Sequence, residues 1–176
     1  MTLAPFGRRL LRVAKNERLG AYNMIWVADP DGPQPEPGQF YMLAAERHWG
    51  GGDGRPYLPR AFSFARATDS ALGFLLEAIG PGTERLCELA QDAGIWVTGP
   101  FGIGFSAPAR GRPLLVGGGI GAAPLLCWRD ALGAETATLL GFRSAEHAEV
   151  QRYFNGARIA TDDGSVGHHG DRKSVV

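Results

Sequence analysis

The chain has 176 residues, and 18 Lys and Arg balance 18 Asp and Glu, so its formal charge is zero. That length holds one ordinary domain or two small ones, and the charge balance gives no electrostatic case for nucleic acid or an anionic membrane surface. No apolar run approaches the ~20 residues of a transmembrane helix. Met1–Arg12 has arginines but neither a long apolar core nor a cleavage-like site, so a secretory leader is not expected. Two cysteines, Cys87 and Cys127, make no disulfide framework and no four-thiolate cluster. Both are expected to be small buried residues, and the expected compartment is cytoplasmic.

Residues 1–107 read as a β-rich half. Leu10–Val13 and Tyr22–Ala28 carry strand formers, separated from the next segment by the turn Asp29-Pro30-Asp31-Gly32-Pro33. Phe40–Ala44 is a further strand. Arg47–Leu58 is a glycine-rich loop anchored by Trp49 and Tyr57. Ala61–Ala65 and Leu72–Ile79 flank an Asp69-Ser70 turn. Thr83–Gln91 has helical spacing, with Thr83 as expected N-cap and Glu84 in the first turn. Ile95–Val97 is the last short strand. Many short strands and one helix predict a small β-barrel. Trp26 and Trp96 here, and Trp128 beyond, are expected in the core.

Ala107–Arg112 is the expected linker, and the rhythm then changes. Leu114–Val116 reads as a strand, Ala122–Leu132 as a helix, Thr136–Phe142 as a strand and Ser144–Phe154 as a helix capped by Ser144. Ala157–Ala160 is a third strand. Strands alternating with helices predict a parallel sheet, so residues 108–170 form an α/β unit and residues 171–176 an atypical tail.

The junction of the first such strand and helix, Gly117-Gly118-Gly119-Ile120-Gly121, is the stretch with the clearest chemistry. A glycine turn between strand and helix aims free N–H groups and a positive dipole end at a phosphate, and Pro124 is tolerated in the first helical turn because its N–H would be unpaired there. Two stretches of the β-rich half can also meet a nucleotide. In Arg60-Ala61-Phe62-Ser63, an arginine, an aromatic ring and a hydroxyl could serve a phosphate, an apolar surface and a ring edge, although alone this reads more simply as an alternating strand. Gly80-Pro81-Gly82-Thr83 puts two glycines and a hydroxyl at a helix start. His168 and His169 with Asp162 and Asp163 lack metal-ligand spacing and read as an exposed turn.

These stretches, with Gly99-Pro100-Phe101-Gly102, Gly141-Phe142-Arg143 and Thr161-Asp162-Asp163-Gly164-Ser165, occur in an order that resembles the ferredoxin reductase family. The resemblance runs from about Leu10 to Gly170. More narrowly, it points to the electron-transfer subunits of NAD-dependent dihydroorotate dehydrogenases. It implies a β-barrel FAD-binding domain followed by an incomplete α/β nucleotide-binding domain. FAD would be held by Arg60, Ala61, Phe62 and Ser63, by Leu75, Leu76 and Glu77, and by Gly80, Gly82 and Thr83. Because relatives often have another polar residue at position 77, any flavin contact there would come from backbone. NAD(P) would lie against Gly118, Gly119, Gly121 and Pro124, near Arg143, Asp162 and Asp163. No acidic residue suited to a ribose ends the second strand, and Arg143 stands there instead, which leaves NAD against NADP open. Hydride would pass to the flavin, and electrons would leave through a [2Fe–2S] cluster to an FMN-bearing catalytic subunit in pyrimidine biosynthesis.

The family's chains continue beyond this point into further strands and the cluster's cysteine ligands, which do not occur here; no ligand role is carried onto Cys87 or Cys127. The expected consequences are an open edge at Leu114–Val116, weak FAD binding and no completed transfer to a partner. A reductase subunit serving ferredoxin, sulfur or an oxygenase is the alternative of the same kind. A non-catalytic flavin-binding remnant is the alternative of another class.

Overall fold

The computed structural model describes residues 7–50 and 58–170. Tyr57 and the proposed tail 171–176 lie outside the described residues.

Six antiparallel strands close into a barrel in the order β1-β2-β5-β4-β3-β6. They are β1 (Arg9–Leu19), β2 (Tyr22–Ala28), β3 (Phe40–Ala45), β4 (Arg60–Ala67), β5 (Ala71–Glu77) and β6 (Gly94–Phe101). β1 is far longer than Leu10–Val13. Its first residues, Arg9–Arg12, pair with β6, and Arg12–Leu19 pair with β2, with a break in register between Val13 and Lys15. A bulge of this kind bends a strand and raises its twist, which lets one strand serve two neighbours and close the barrel.

The period-two alternation sorts side chains between two cores. On β5, Leu72, Phe74 and Leu76 point into the barrel with Val13, Ile25, Tyr41, Phe64 and Val97. Leu75 points outward, joining Leu19, Tyr22, Met24 and Ala65 in a second core shared with the rest of the chain. Inside the barrel Tyr41 meets Phe74 and Phe64 edge to face at 5.6 and 6.5 Å. Gly73 is a strand glycine because the ring of Trp26, its cross-strand partner, lies 3.2 Å from where a Cβ would stand. One end of the barrel is tied by a buried ion pair. Arg9 Nε donates to Asp29 Oδ1 and Oδ2 at 2.9 and 3.1 Å, and Arg9 Nη1 donates to the Gly99 carbonyl at 2.9 Å.

The helix of this half, α1, spans Pro81–Cys87 rather than Thr83–Gln91. Pro81, with its fixed φ, occupies the first helical position and starts the helix early. Gly80 is therefore the N-cap, and Thr83 is the third helical residue. Its Oγ accepts from the Ile79 and Gly80 N–H groups at 2.9 and 3.1 Å, so it still closes the helix start.

Residues 106–113 contain no strand or helix. A parallel sheet of order β10-β9-β8-β7 follows, made of β7 (Leu114–Gly118), β8 (Ala137–Phe142), β9 (Arg158–Thr161) and β10 (His168–His169). The two histidines, expected in a turn, instead pair as a short exposed strand with Ala160 and Thr161. β7 lies at the sheet edge, and Leu114 and Val116 are 49% and 42% exposed. α2 (Ala122–Leu132) follows β7 through a 3-10 turn at Gly119–Gly121.

The helix expected over Ser144–Phe154 is broken. α3 spans only Ala145–Ala148, and Glu149–Tyr153 is 3-10. Ala148, Val150 and Phe154 are all buried, and positions 148 and 150 fall on opposite sides of an α-helix, so one regular helix could not bury them together. Ser144 stands at the N-cap position without capping, its Oγ lying 3.0 Å from His147 Nδ1. Trp26, Trp96 and Trp128 are half-buried rather than fully in the core. The Arg8 guanidinium covers Trp96, and Phe105 meets Trp128. Cys127 is buried and Cys87 half-buried.

The halves are packed, not merely joined. Ala122, Ala123, Leu126, Leu140, Phe142, Ala148, Val150 and Phe154 complete the second core with the outward-facing barrel residues. Gly20, at φ +58°, turns the β1–β2 hairpin directly against α3, where a Cβ would stand 1.9 Å from the Glu146 carbonyl oxygen. The Arg66–Asp130 pair, at 2.8 Å, ties β4 to α2.

Candidate functional site

Two cavities open where the barrel meets the sheet. The first, of about 410 Å³, is lined by Arg60, Ala61, Phe62 and Ser63 from β4, Leu75 and Glu77 from β5, Ile79, Thr83, and Ile120, Gly121, Ala123 and Pro124 from the glycine turn and α2. The second, of about 520 Å³, is lined by Tyr22, Gly118, Gly119, Phe142, Arg143, His147 and Asp162, among others. Glu77, Ile79 and Ile120 line both, so a ligand filling one cavity abuts a ligand filling the other.

In the first cavity, the start of α1 and the first strand motif meet through a glycine. A Cβ at Gly82 would stand 2.8 Å from Arg60 Nε and 3.2 Å from its Cγ. Arg60 thus lies flat on the α1 N-terminus, its Nη1 donating to the Leu58 carbonyl at 2.6 Å. A guanidinium beside a helix start suits a phosphate, since both supply N–H donors and positive charge. The floor is apolar, built by Phe62, Leu75, Ala123 and Pro124, as a planar aromatic ligand requires.

In the second cavity, Gly119 takes φ +55°, a left-handed conformation favouring glycine. Gly117 lets α2 approach β7, since a Cβ there would meet Leu125 Cδ1 at 2.4 Å, and nothing lies within 4 Å of a Cβ at Gly121. Tyr22, fully buried on β2, sends its hydroxyl beneath the turn. That oxygen has no hydrogen-bond partner and lies 3.9 Å from the Cβ position of Gly119, while the Tyr22 ring meets the His147 ring edge to face, their centroids 5.8 Å apart. Burial, and then the Glu77 carboxylate, push the Tyr22 phenol up to about 12, so it is a neutral hydroxyl. Glu77 Oε1 lies 3.5 Å from both Arg143 Nη2 and His147 Nε2.

The expected site residues divide accordingly. Arg60, Ala61, Phe62, Ser63, Leu75, Glu77, Thr83, Gly121 and Pro124 line the first cavity, and Gly118, Gly119, Arg143 and Asp162 the second. Gly80 and Gly82 form the α1 start beside the first. Leu76 is turned into the barrel core by strand alternation, so only its backbone is available. Asp163 is taken up by its own turn. Its Oδ1 accepts from the Ser165 N–H and Oγ at 3.0 and 2.6 Å, and Ser165 Oγ in turn accepts from the Ala145 N–H at 2.6 Å. Hydrogen bonding to Ser165 holds its carboxyl below the ordinary range. Sequence reasoning did not find Tyr22, Ile79, Ile120 or His147. Tyr22 lies far from any motif and is brought in by its cross-strand pairing with Glu77, and His147, four residues after Arg143, is brought in by α3.

Among the described residues, no group of three or more His, Cys, Asp or Glu side chains could hold a metal ion, so the iron–sulfur cluster implied by the resemblance finds no ligand set there. Burial pushes both thiols up to about 11. No helix among the described residues is long and apolar enough to cross a membrane.

No protein-family model matches the chain. It is 36% identical over 138 residues to the dihydroorotate dehydrogenase B (NAD(+)) electron transfer subunit of Clostridium acetobutylicum, covering 76% of this chain and 54% of that one. To the same subunit of Caldanaerobacter subterraneus subsp. tengcongensis it is 31% identical over 168 residues, covering 94% and 65%. The chain thus spans a little over half to about two thirds of these relatives' lengths. Among solved structures it superposes on the ferredoxin reductase of carbazole 1,9a-dioxygenase with a TM-score of 0.78 at 24% identity, covering 96% of this chain and 55% of that one. It also superposes on the NADH-dependent reduced ferredoxin-NADP oxidoreductase with a TM-score of 0.77 at 23% identity, covering 95% and 62%. The chain therefore has a ferredoxin reductase-like fold and is a homologue of the dihydroorotate dehydrogenase B electron transfer subunits.

Proposed function

We propose that the chain binds FAD in the first cavity and NAD(H) in the second, and serves as the flavin-dependent electron-transfer part of a dihydroorotate dehydrogenase whose substrate chemistry belongs to an FMN-bearing partner subunit. The observation that carries this reading is the shared wall of the two cavities. Ligands meeting at Glu77, Ile79 and Ile120 would be in direct contact, as transfer between them requires.

The flavin, when bound, supplies the redox chemistry. The residues bind and orient. Arg60 and the N–H groups at the start of α1 hold a phosphate of the flavin nucleotide. Phe62 and Leu75 give an apolar bed, and Ser63 supplies a hydroxyl at its edge. The N–H groups after Gly118 face the dinucleotide phosphates, and the orphaned Tyr22 hydroxyl beneath Gly119 offers one further polar contact. Ile79 and Ile120 shield the junction from water.

The test is direct. The purified chain is expected to carry a flavin absorption band that bleaches on anaerobic addition of NADH. A yellow protein that does not bleach supports the remnant reading, and a folded chain that takes up no FAD refutes the assignment of the first cavity.

A further inference from the structure

Glu77 ends β5 and pairs across the ladder with Tyr22. Among the described residues, Glu77, Ile79 and Ile120 line both cavities, and Glu77 is the one of them that carries a charge. Its side chain is 16% exposed, and its Oε1 turns to the second cavity, 3.5 Å from Arg143 Nη2 and from His147 Nε2. Neither contact cancels the carboxylate. The Arg143 side chain is 69% exposed, and a guanidinium largely in water offsets a neighbouring charge only weakly. His147 offsets it only when protonated. Tyr22 supplies a neutral hydroxyl, and Asp162, the other carboxylate lining the second cavity, adds charge of the same sign. The wall shared by the two cavities therefore presents one partly buried negative charge between two isoleucines.

That charge stands where the ligand of the second cavity would change its own. A dihydronicotinamide ring is uncharged. When it gives up a hydride to the flavin, one ring C–H bond breaks, both electrons leave with the hydrogen, and the ring becomes a cation. A carboxylate at the wall where the two ligands meet attracts the cation and is indifferent to the neutral ring. It also faces the positive charge as that charge develops, which lowers the barrier to its formation.

Resting on the reading of the second cavity as a nicotinamide nucleotide site, we infer that Glu77 makes the cleft discriminate by redox state, binding the oxidised, cationic dinucleotide more tightly than the reduced, neutral one. A barrel residue then sets the preference of a ligand held mainly by the other half. By favouring the form that has lost its hydride, Glu77 draws the equilibrium toward hydride release.

The experiment measures Kd by calorimetry on the full chain with FAD added, at about pH 8.5, above the range in which histidine ordinarily charges. The probes are NAD+ and tetrahydro-NAD, whose ring is uncharged and gives up no hydride. The wild type is expected to bind NAD+ about 10-fold more tightly, the size of one partly screened charge contact. Glu77→Gln removes the charge at nearly constant size and is expected to bring the two affinities within about twofold of each other, chiefly by weakening NAD+. Glu77→Asp keeps the charge and is expected to keep most of the preference. A residue that only braced the wall would weaken both probes alike and leave their ratio unmoved. An unshifted ratio in Glu77→Gln therefore overturns the inference and leaves the proposed function standing. A folded wild type that binds the uncharged probe as tightly as NAD+ also overturns it, with no variant needed. Failure of the folded wild type to bind either probe overturns the inference and the nucleotide-site reading together.

Discussion

Replacing Gly82 by alanine separates flavin binding from stability, because the two should move in opposite directions. Gly82 is the second residue of α1, and its φ is not in the left-handed region. Alanine is thus compatible with the backbone, and removing a helical glycine stabilises by about 0.5–1 kcal/mol. The added Cβ would stand 2.8 Å from Arg60 Nε and 3.2 Å from Arg60 Cγ, closer than packed atoms allow. Arg60 is half-buried and its guanidinium can swing away, so relief comes from the arginine and not from the helix. The guanidinium then leaves the α1 N-terminus. Losing one charge-assisted hydrogen bond to a phosphate costs about 1.5–3 kcal/mol, which is roughly 10- to 150-fold in FAD affinity. Quenching of flavin fluorescence on titration reads the affinity, and urea unfolding of the apo chain reads the stability. A Gly82→Ala chain that binds FAD within twofold of the wild type would refute the placement of Arg60 as a phosphate ligand. A large loss of stability would show that the helix, not the arginine, gives way.

Asp29→Ala should cost about 3–5 kcal/mol in urea unfolding, because it strands the Arg9 guanidinium in a pocket where both side chains are 4% exposed; a loss below about 1 kcal/mol would mean that water reaches Arg9. Cys127 should resist iodoacetamide at pH 8 in the folded chain and react on unfolding, since burial raises its thiol to about 11. The same shift makes stability fall as pH rises from 9 toward 11. The unfolded thiol ionises in that window while the folded one keeps its proton, so the contribution is complete below 9 and lost above 11. Urea midpoints across that window, compared with Cys127→Ala, check the sign. Val116→Lys should reduce self-association, read by light scattering after size-exclusion chromatography, because the residue is 42% exposed on the edge strand β7.

The barrel and the alternating second half were legible because both rest on short-range rules. Glycine and proline punctuate the strands, and the change of period after residue 113 marks the change of architecture. The position of the glycine turn between a strand and a helix was legible for the same reason, whereas the stretch around Arg60 alone read as an alternating strand and only the resemblance marked it as a candidate site. What escaped was long-range or competitive. Thr83 could be taken for a cap until Pro81 claimed the first turn. Helical spacing over residues 144–154 gave no sign that Ala148 and Val150 must be buried together. Asp163 looked like a ligand because nothing in sequence shows that Ser165 occupies its carboxylate. Tyr22 and His147 stand 125 positions apart, and only barrel closure and the packing of α3 on the first hairpin put both beside Gly119.

The core shared by Leu19, Tyr22, Met24 and Leu75 with Leu126, Leu140, Phe142 and Phe154 makes the joint between the halves a keystone rather than a hinge. The connecting segment 106–113 carries little of the attachment. A chain nicked there should stay assembled, and residues inserted there should leave the cleft unaltered. Neither half can unfold without exposing apolar surface on the other, which favours a single cooperative transition. The separation of the two cavities is thus set by close-packed side chains, fixed at folding and not retuned by domain motion.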